Sequence, residues 1–177
     1  MSNFDQNLPQ DNGKIVVMST NNKELVNRVE ELGIKVLSSE NLSKLLIFEQ
    51  YHTDLQLLHY NKDTVFVLKE CTSLKENLKK YFPKVIEISK NIEKDYPNNV
   101  MLNCVVLNDK LICNSKTISD EVLQMAIKDN LKIINVNQGY TKCSTCIVNE
   151  IAIITSDKSI YKSCRNEMDV LLIRQGY

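Results

Sequence analysis

The sequence predicts an α/β fold assembled from repeated strand-strand-helix-strand (ββαβ) modules, and three observations carry that expectation. Apolar runs of strand length alternate with helical runs along the chain. Three successive units open on a tight hairpin, with turn residues Asn61, Asn108 and Asn149 spaced 47 and 41 positions apart. The tripeptide "QGY" closes two units, at 138–140 and 175–177. A doubly wound parallel sheet would show a similar alternation, but it has no use for the hairpins.

Taken in order, the polar segment 1–12 is expected to be a flexible N-terminus, and 13–177 a single domain. "KIVVM" predicts a strand, and "NNKELVNRVEEL" a helix with Leu25, Val26, Val29 and Leu32 on one face. Gly33 stops that helix before the strand "IKVLS". This first unit lacks an opening strand. "LQLLHY", the Asn61-Lys62 turn and "TVFVL" form the first hairpin, followed by a helix over "SLKENLKKYF" and the strand "KVIEI". Ser73 and Glu76 have capping-box spacing, which places the helix start near Ser73. "NCVVL", "KLIC", a helix beginning near Ser119 and "KIINV" make the third unit. "CIV", "IAIIT", a helix from about Asp157 to Glu167 and "DVLLI" make the fourth. The expectation is therefore three full modules plus one βαβ unit.

Composition narrows the function classes. The 22 basic and 22 acidic residues balance, so no broad electrostatic footprint for nucleic acid or anionic lipid is expected. Absence of a leader pattern and of a long apolar run predicts no membrane partner and a cytoplasmic protein. Six cysteines in 177 residues do not form the dense framework of a small disulfide-stapled domain, and reduced thiols are expected. With four glycines and no Walker-type or dinucleotide loop, no cofactor is predicted. Cys143 and Cys146 have the spacing of a dithiol or half a metal site. No second Cys-x-x-Cys or His pair completes a four-ligand zinc set, so no metal is predicted and thiol redox stays open as an alternative.

The stretches "YPNNVMLNCVVL", "INVNQGYTKCSTCIVNE", "AIITSDKSI" and "DVLLIRQGY", with "YHTDLQLLHY" in the first half, resemble a bacterial family of uncharacterised proteins assigned to the guanidino-group-modifying enzyme fold, the pentein. The likeness covers most of 14–177. It implies a five-module α/β-propeller, of which this chain would be an incomplete version. It also implies a hydrolase or transferase in which a cysteine thiolate attacks a guanidinium or amidinium carbon, carboxylates hold the cation, and a histidine moves protons.

On that resemblance His52-Thr53-Asp54 matches the His-x-Asp pattern, and an extended backbone would aim His52 and Asp54 to one side. Cys146 and Cys143 are the candidate nucleophiles, His52 the acid/base and Asp54 its support. Cys104 is expected near the same axis, because Cys104 and Cys146 stand four and three residues before their turn asparagines. Asp157 and Glu70, each following the second strand of a module, are the candidate carboxylates for the substrate. Asp157 also suits a helix N-cap and Glu70 a solvated surface, and both cysteines suit a buried structural role. His59, inside an apolar strand, is expected to pack.

The chain departs from the family pattern, in which the nucleophilic cysteine belongs to the last of five modules, because only three full modules and one βαβ unit are visible here. A module more of ~40 residues would be needed for closure. The reading taken is a chain truncated after Tyr177, with association through open strand edges into a homo-oligomer as the other route to covering them. The pentein fold also resembles that of a ribosome anti-association factor, so a non-catalytic binding protein remains the alternative to an enzyme.

Overall fold

Short strands and short helices succeed one another in the order anticipated, in a computed structural model that describes residues 13–175. The expected flexible segment 1–12 lies outside the described residues. In the first unit β1 (Ile15–Met18) and β2 (Lys35–Ser38) run parallel, joined by helix α1 (Lys23–Glu31). Asn22 caps α1 by accepting from the Leu25 amide, and Gly33 beyond its C-terminus takes a left-handed φ of 77°, which favours glycine.

Each later unit is a three-stranded sheet with one antiparallel and one parallel joint. The second unit comprises helix α2 (Thr53–Gln56), β3 (Leu57–Asn61), β4 (Thr64–Val67), α3 (Thr72–Leu78) and β5 (Lys84–Glu87), with β4 in the middle. The third holds β6 (Val105–Leu107), β7 (Lys110–Cys113), α4 (Asp120–Lys128) and β8 (Lys132–Asn135) around β7. The fourth holds β9 (Thr145–Asn149), β10 (Ala152–Thr155), α5 (Lys158–Cys164) and β11 (Asp169–Leu172) around β10. The α/β class and the hairpin-helix-strand order thus stand. The four small sheets do not close into a barrel.

Two helix starts were legible and one was not. Ser119 and Asp157 cap α4 and α5 by accepting from amides in the first turn. Helix α3 does not start at a Ser73 capping box. It begins at Thr72 after Cys71, which makes no side-chain cap, and Glu40 accepts from the Leu74 amide at 2.8 Å instead. A carboxylate from 34 positions away supplies this cap, which local spacing does not encode.

The units join by a repeated rule: α3, α4 and α5 each pack on their own sheet and against the preceding one. Leu78 and Phe82 of the third helix region meet Ile15 and Val17 of the first sheet, and His59 and Val65 of the second. Tyr60 of β3 donates to Asp129 at the end of α4 at 2.9 Å. Ile160 and Cys164 of α5 cluster with Val105, Ile112 and Ile134, a row set by the pairings Val105↔Ile112 and Ile112↔Ile134. In the fourth sheet the same row is Cys146↔Ile154 and Ile154↔Leu171, and among the described residues no helix covers it. Burial differs accordingly: Ile134 is 5% exposed and Leu171 58%. His59 packs as expected, edge-on to Phe82 at 4.9 Å, and burial lowers its pKa below the ordinary histidine value.

Candidate functional site

Three loops from different units meet at one polar cluster. The first carries His52 and Asp54, the second Asn103, and the third Cys143. The His52–Asp54 segment is not extended. His52 is the N-cap of α2, and the helical turn Thr53–Gln56 carries Asp54, with Leu55 and Gln56 buried beneath it. Burial of Leu55 and the bonds of Gln56 to Glu40 and Gln50 draw this segment into a turn, so β3 starts at Leu57 rather than Leu55. His52 and Asp54 come to a common site through that turn and not through strand alternation.

Cys143 lies in the turn between β8 and β9. Its Sγ stands 3.7 Å from His52 Nε2 and 4.0 Å from Asp54 Oδ2. Asn103, 1% exposed, ties the loops together. Its Nδ2 donates to Cys143 Sγ at 2.9 Å and to the Asp54 carbonyl at 3.2 Å. Its Oδ1 accepts from the Lys142 and Cys143 amides at 2.8 and 3.3 Å. All the hydrogen-bonding capacity of one side chain is directed at the junction. Cys143 is exposed as a residue, yet its sulfur is crowded enough that desolvation raises the thiol pKa. The Asn103 hydrogen bond opposes that rise and the Asp54 charge adds to it.

A second contact braces the same loops three residues upstream. Tyr140 donates to Glu49 Oε1 at 2.7 Å and accepts from Asn99 Nδ2 at 2.5 Å. Glu49 is buried and belongs to no ion pair among the described residues, while burial and the Glu49 hydrogen bond push the Tyr140 phenol up to about 12. Glu49 precedes His52 by three positions and Tyr140 precedes Cys143 by three, so the brace spans the gap that the thiol and imidazole share. Tyr140→Phe is expected to lower stability by about 1–3 kcal/mol, because it leaves the buried Glu49 carboxylate with only a long 3.5 Å donor, Asn99 Nδ2. Glu49→Gln, which keeps an acceptor oxygen, should cost less, as read from urea midpoints at constant slope. The preceding Gly139 has its own constraint: a Cβ there would stand 2.4 Å from Tyr96 Cε2.

The remaining candidates lie elsewhere. Cys146 sits on β9 in the exposed outer row with Ile154 and Leu171, and makes no hydrogen bond to His52 or Asp54. Cys104 is fully buried with its pKa raised by desolvation, and the ladders equate Cys146 with Val105 rather than with Cys104. An irregularity between Ala152 and Ile153 shifts that hairpin by one residue, so the two cysteines face opposite ways. Asp157 accepts from the Ser159 and Ile160 amides and from Gln138 Nε2 at 2.7, 2.9 and 3.0 Å, which occupies its carboxylate as a cap and loop tie. Glu70 Oε1 accepts from the Ile92 amide at 3.0 Å, beside a small recess lined by Asn41, Ser43 and Lys44. Asn103 and Glu49 were not singled out from the sequence, and no local pattern marks them; Tyr140 belongs to the repeated "QGY", which was read as a unit ending and given no role at the site. Asp54 and Lys142 also line a cavity of about 140 Å³ that runs on to His59, Leu102 and Cys104.

The fold and site define a modular α/β protein with a thiol, an imidazole and a carboxylate gathered where three loops meet. The chain belongs to a family of unknown function, DUF6873, whose profile matches residues 16–177. No protein of curated function matches it. Among the described residues no helix is long and apolar enough to cross a membrane.

Proposed function

We propose that the protein is a cysteine-dependent hydrolase or transferase acting on a small guanidinium or amidinium group, with Cys143 as nucleophile and His52 as acid/base. The observation that carries this reading is the 3.7 Å separation of Cys143 Sγ and His52 Nε2, within the looser range of an unliganded nucleophile–base pair. The pentein-like architecture, in which four units are part of a larger repeat, belongs to the same proposal and rests on the ββαβ order and the helix-between-sheets joints.

The chemistry follows from the contacts. Asp54 Oδ2, close to the sulfur and making no hydrogen bond to His52, is best placed to accept N–H groups from the cation. A cation arriving there offsets the carboxylate charge and favours the thiolate, which the free site disfavours, and the thiol proton passes to His52. Sulfur then attacks the amidinium carbon, a C–S bond forms, and the C–N bond to the leaving amine breaks as His52 supplies the proton. Water, or an acceptor amine in a transferase, attacks the S-linked carbon with its proton going to His52, and the thiolate is released.

The test is alkylation by an amidine-bearing reagent beside a neutral analogue of equal size, read by intact mass and peptide mapping. The amidine should label Cys143 selectively, and labelling should fall at least tenfold in His52→Ala and persist in Cys146→Ser. Because the free thiol titrates above its ordinary value, the neutral reagent should accelerate with rising pH up to and beyond about 9. The amidine should depend less on pH around neutrality, since its charge lowers the thiol pKa. Equal, slow labelling by both reagents would sink the proposal and favour a non-catalytic binding protein.

A further inference from the structure

The cluster at the loop junction has the donor set and spacing of a metal site as well as of a thiol catalyst. The ligating atoms of His52, Asp54 and Cys143 all lie within 4.8 Å of one another. A tetrahedral ion with metal–sulfur bonds of about 2.3 Å and metal–nitrogen or metal–oxygen bonds of about 2.0–2.2 Å sets its ligand–ligand edges at roughly 3.3–3.7 Å. The Sγ–Nε2 separation of 3.7 Å already matches such an edge, while the Sγ–Oδ2 separation of 4.0 Å and the His52–Asp54 edge, within 4.8 Å, must close onto the ion by side-chain rotation.

We propose that His52, Asp54 and Cys143 form a three-ligand site for one borderline-soft divalent ion of the zinc class, with the fourth position open to water. One thiolate, one imidazole and one carboxylate select against magnesium and calcium, which demand oxygen ligands. Asn103 provides the outer support such a site requires. Its Nδ2 hydrogen-bonds the ligating sulfur, its Oδ1 holds the Cys143 amide, and its bond to the Asp54 carbonyl fixes the third ligand's backbone. His52 and Cys143 are exposed, so an ion reaches them directly from solvent. Binding displaces the thiol proton and ties up the sulfur lone pair and the imidazole nitrogen. On the functional reading above, the ion is therefore an inhibitor that holds the nucleophile unreactive until it is removed. The site differs from a Cys-x-x-Cys arrangement in that Cys146 takes no part.

The test uses the full chain, reduced and stripped with a chelator, titrated with cobalt(II) as a spectroscopic probe. One equivalent should produce a near-ultraviolet thiolate-to-cobalt charge-transfer band and visible bands of tetrahedral intensity, both erased by zinc displacement. The charge-transfer band should vanish in Cys143→Ser, affinity should fall at least tenfold in His52→Ala and Asp54→Asn, and Cys146→Ser should bind as the parent does. No thiolate band, or binding of one equivalent that survives Cys143→Ser, would overturn the site; circular dichroism of each variant separates loss of ligation from loss of fold. Amidine labelling of the metal-free protein should stop at one equivalent of zinc and return with chelator. A thiolate band without amidine preference in the metal-free protein would keep the metal site and remove the proposed enzyme. Amidine preference that zinc does not suppress would remove the metal inference and keep the enzyme.

Discussion

Asn103→Leu should cost about 2–4 kcal/mol of stability and slow Cys143 alkylation at least tenfold. The volume is nearly kept, so the loss comes from polar groups left unpaired. The Lys142 and Cys143 amides lose their common acceptor, and the Asp54 carbonyl and Cys143 sulfur lose a donor. Buried backbone groups stranded in this way cost about 1–3 kcal/mol each, and partial relaxation toward water keeps the sum at the lower end. The rate effect has a separate origin: without Asn103 the thiol loses the strongest influence opposing its desolvation, with only the Cys143 backbone amide and the Lys142 charge left to act that way, and the two loops lose their shared anchor. Asn103→Asp distinguishes the two contributions. It retains an acceptor for the amides but places a second carboxylate by the sulfur, so the alkylation profile should move to higher pH even where the fold is preserved. Equal alkylation profiles for the parent and Asn103→Asp would show that Asn103 braces the loops without acting on the thiol.

Ile134→Ala should destabilise by about 2–4 kcal/mol, and Leu171→Ala, at the equivalent position of the next unit, by less than about 1 kcal/mol. Both side chains end the same row across a three-stranded sheet, Val105–Ile112–Ile134 in one unit and Cys146–Ile154–Leu171 in the other. The first row lies under α5 and the second lies open, so truncation leaves a cavity in one case and removes solvent-facing methyl groups in the other. Denaturant titration of the two variants compares one local structure in two tertiary settings. Equal losses would mean that the outer row of the fourth sheet is covered in solution, and if a second copy of the chain covers it, dilution should lower the apparent stability of the parent.

The same contrast separates what the chain encodes locally from what it does not. Alternating apolar residues, the turn asparagines, the Ser119 and Asp157 caps and Gly33 determined the strands, the helices and the repeated unit, because each acts within one or two turns of backbone. His52, Asp54 and Cys143 were also picked out as candidates from the sequence, since they belong to a short pattern and a distinctive loop. Their meeting was not legible. It depends on a helical turn imposed by burial of Leu55, and on Asn103, which sits next to the cysteine that sequence spacing favoured.

Cys104 and Cys146 show the limit most clearly. Counting back from the turn asparagines gave them similar but unequal places, four and three residues, and the strand pairings equate Cys146 with Val105, so the one-residue difference decides the face on which the side chain emerges. Register, the Glu40 cap on α3 and the Glu49–Tyr140 brace are contacts between residues distant in sequence. The sequence by itself determined the kind and order of the elements. Only the tertiary structure decided that Cys143, rather than Cys146 or Cys104, faces the imidazole, because that outcome depends on how loops from three units are held against one another.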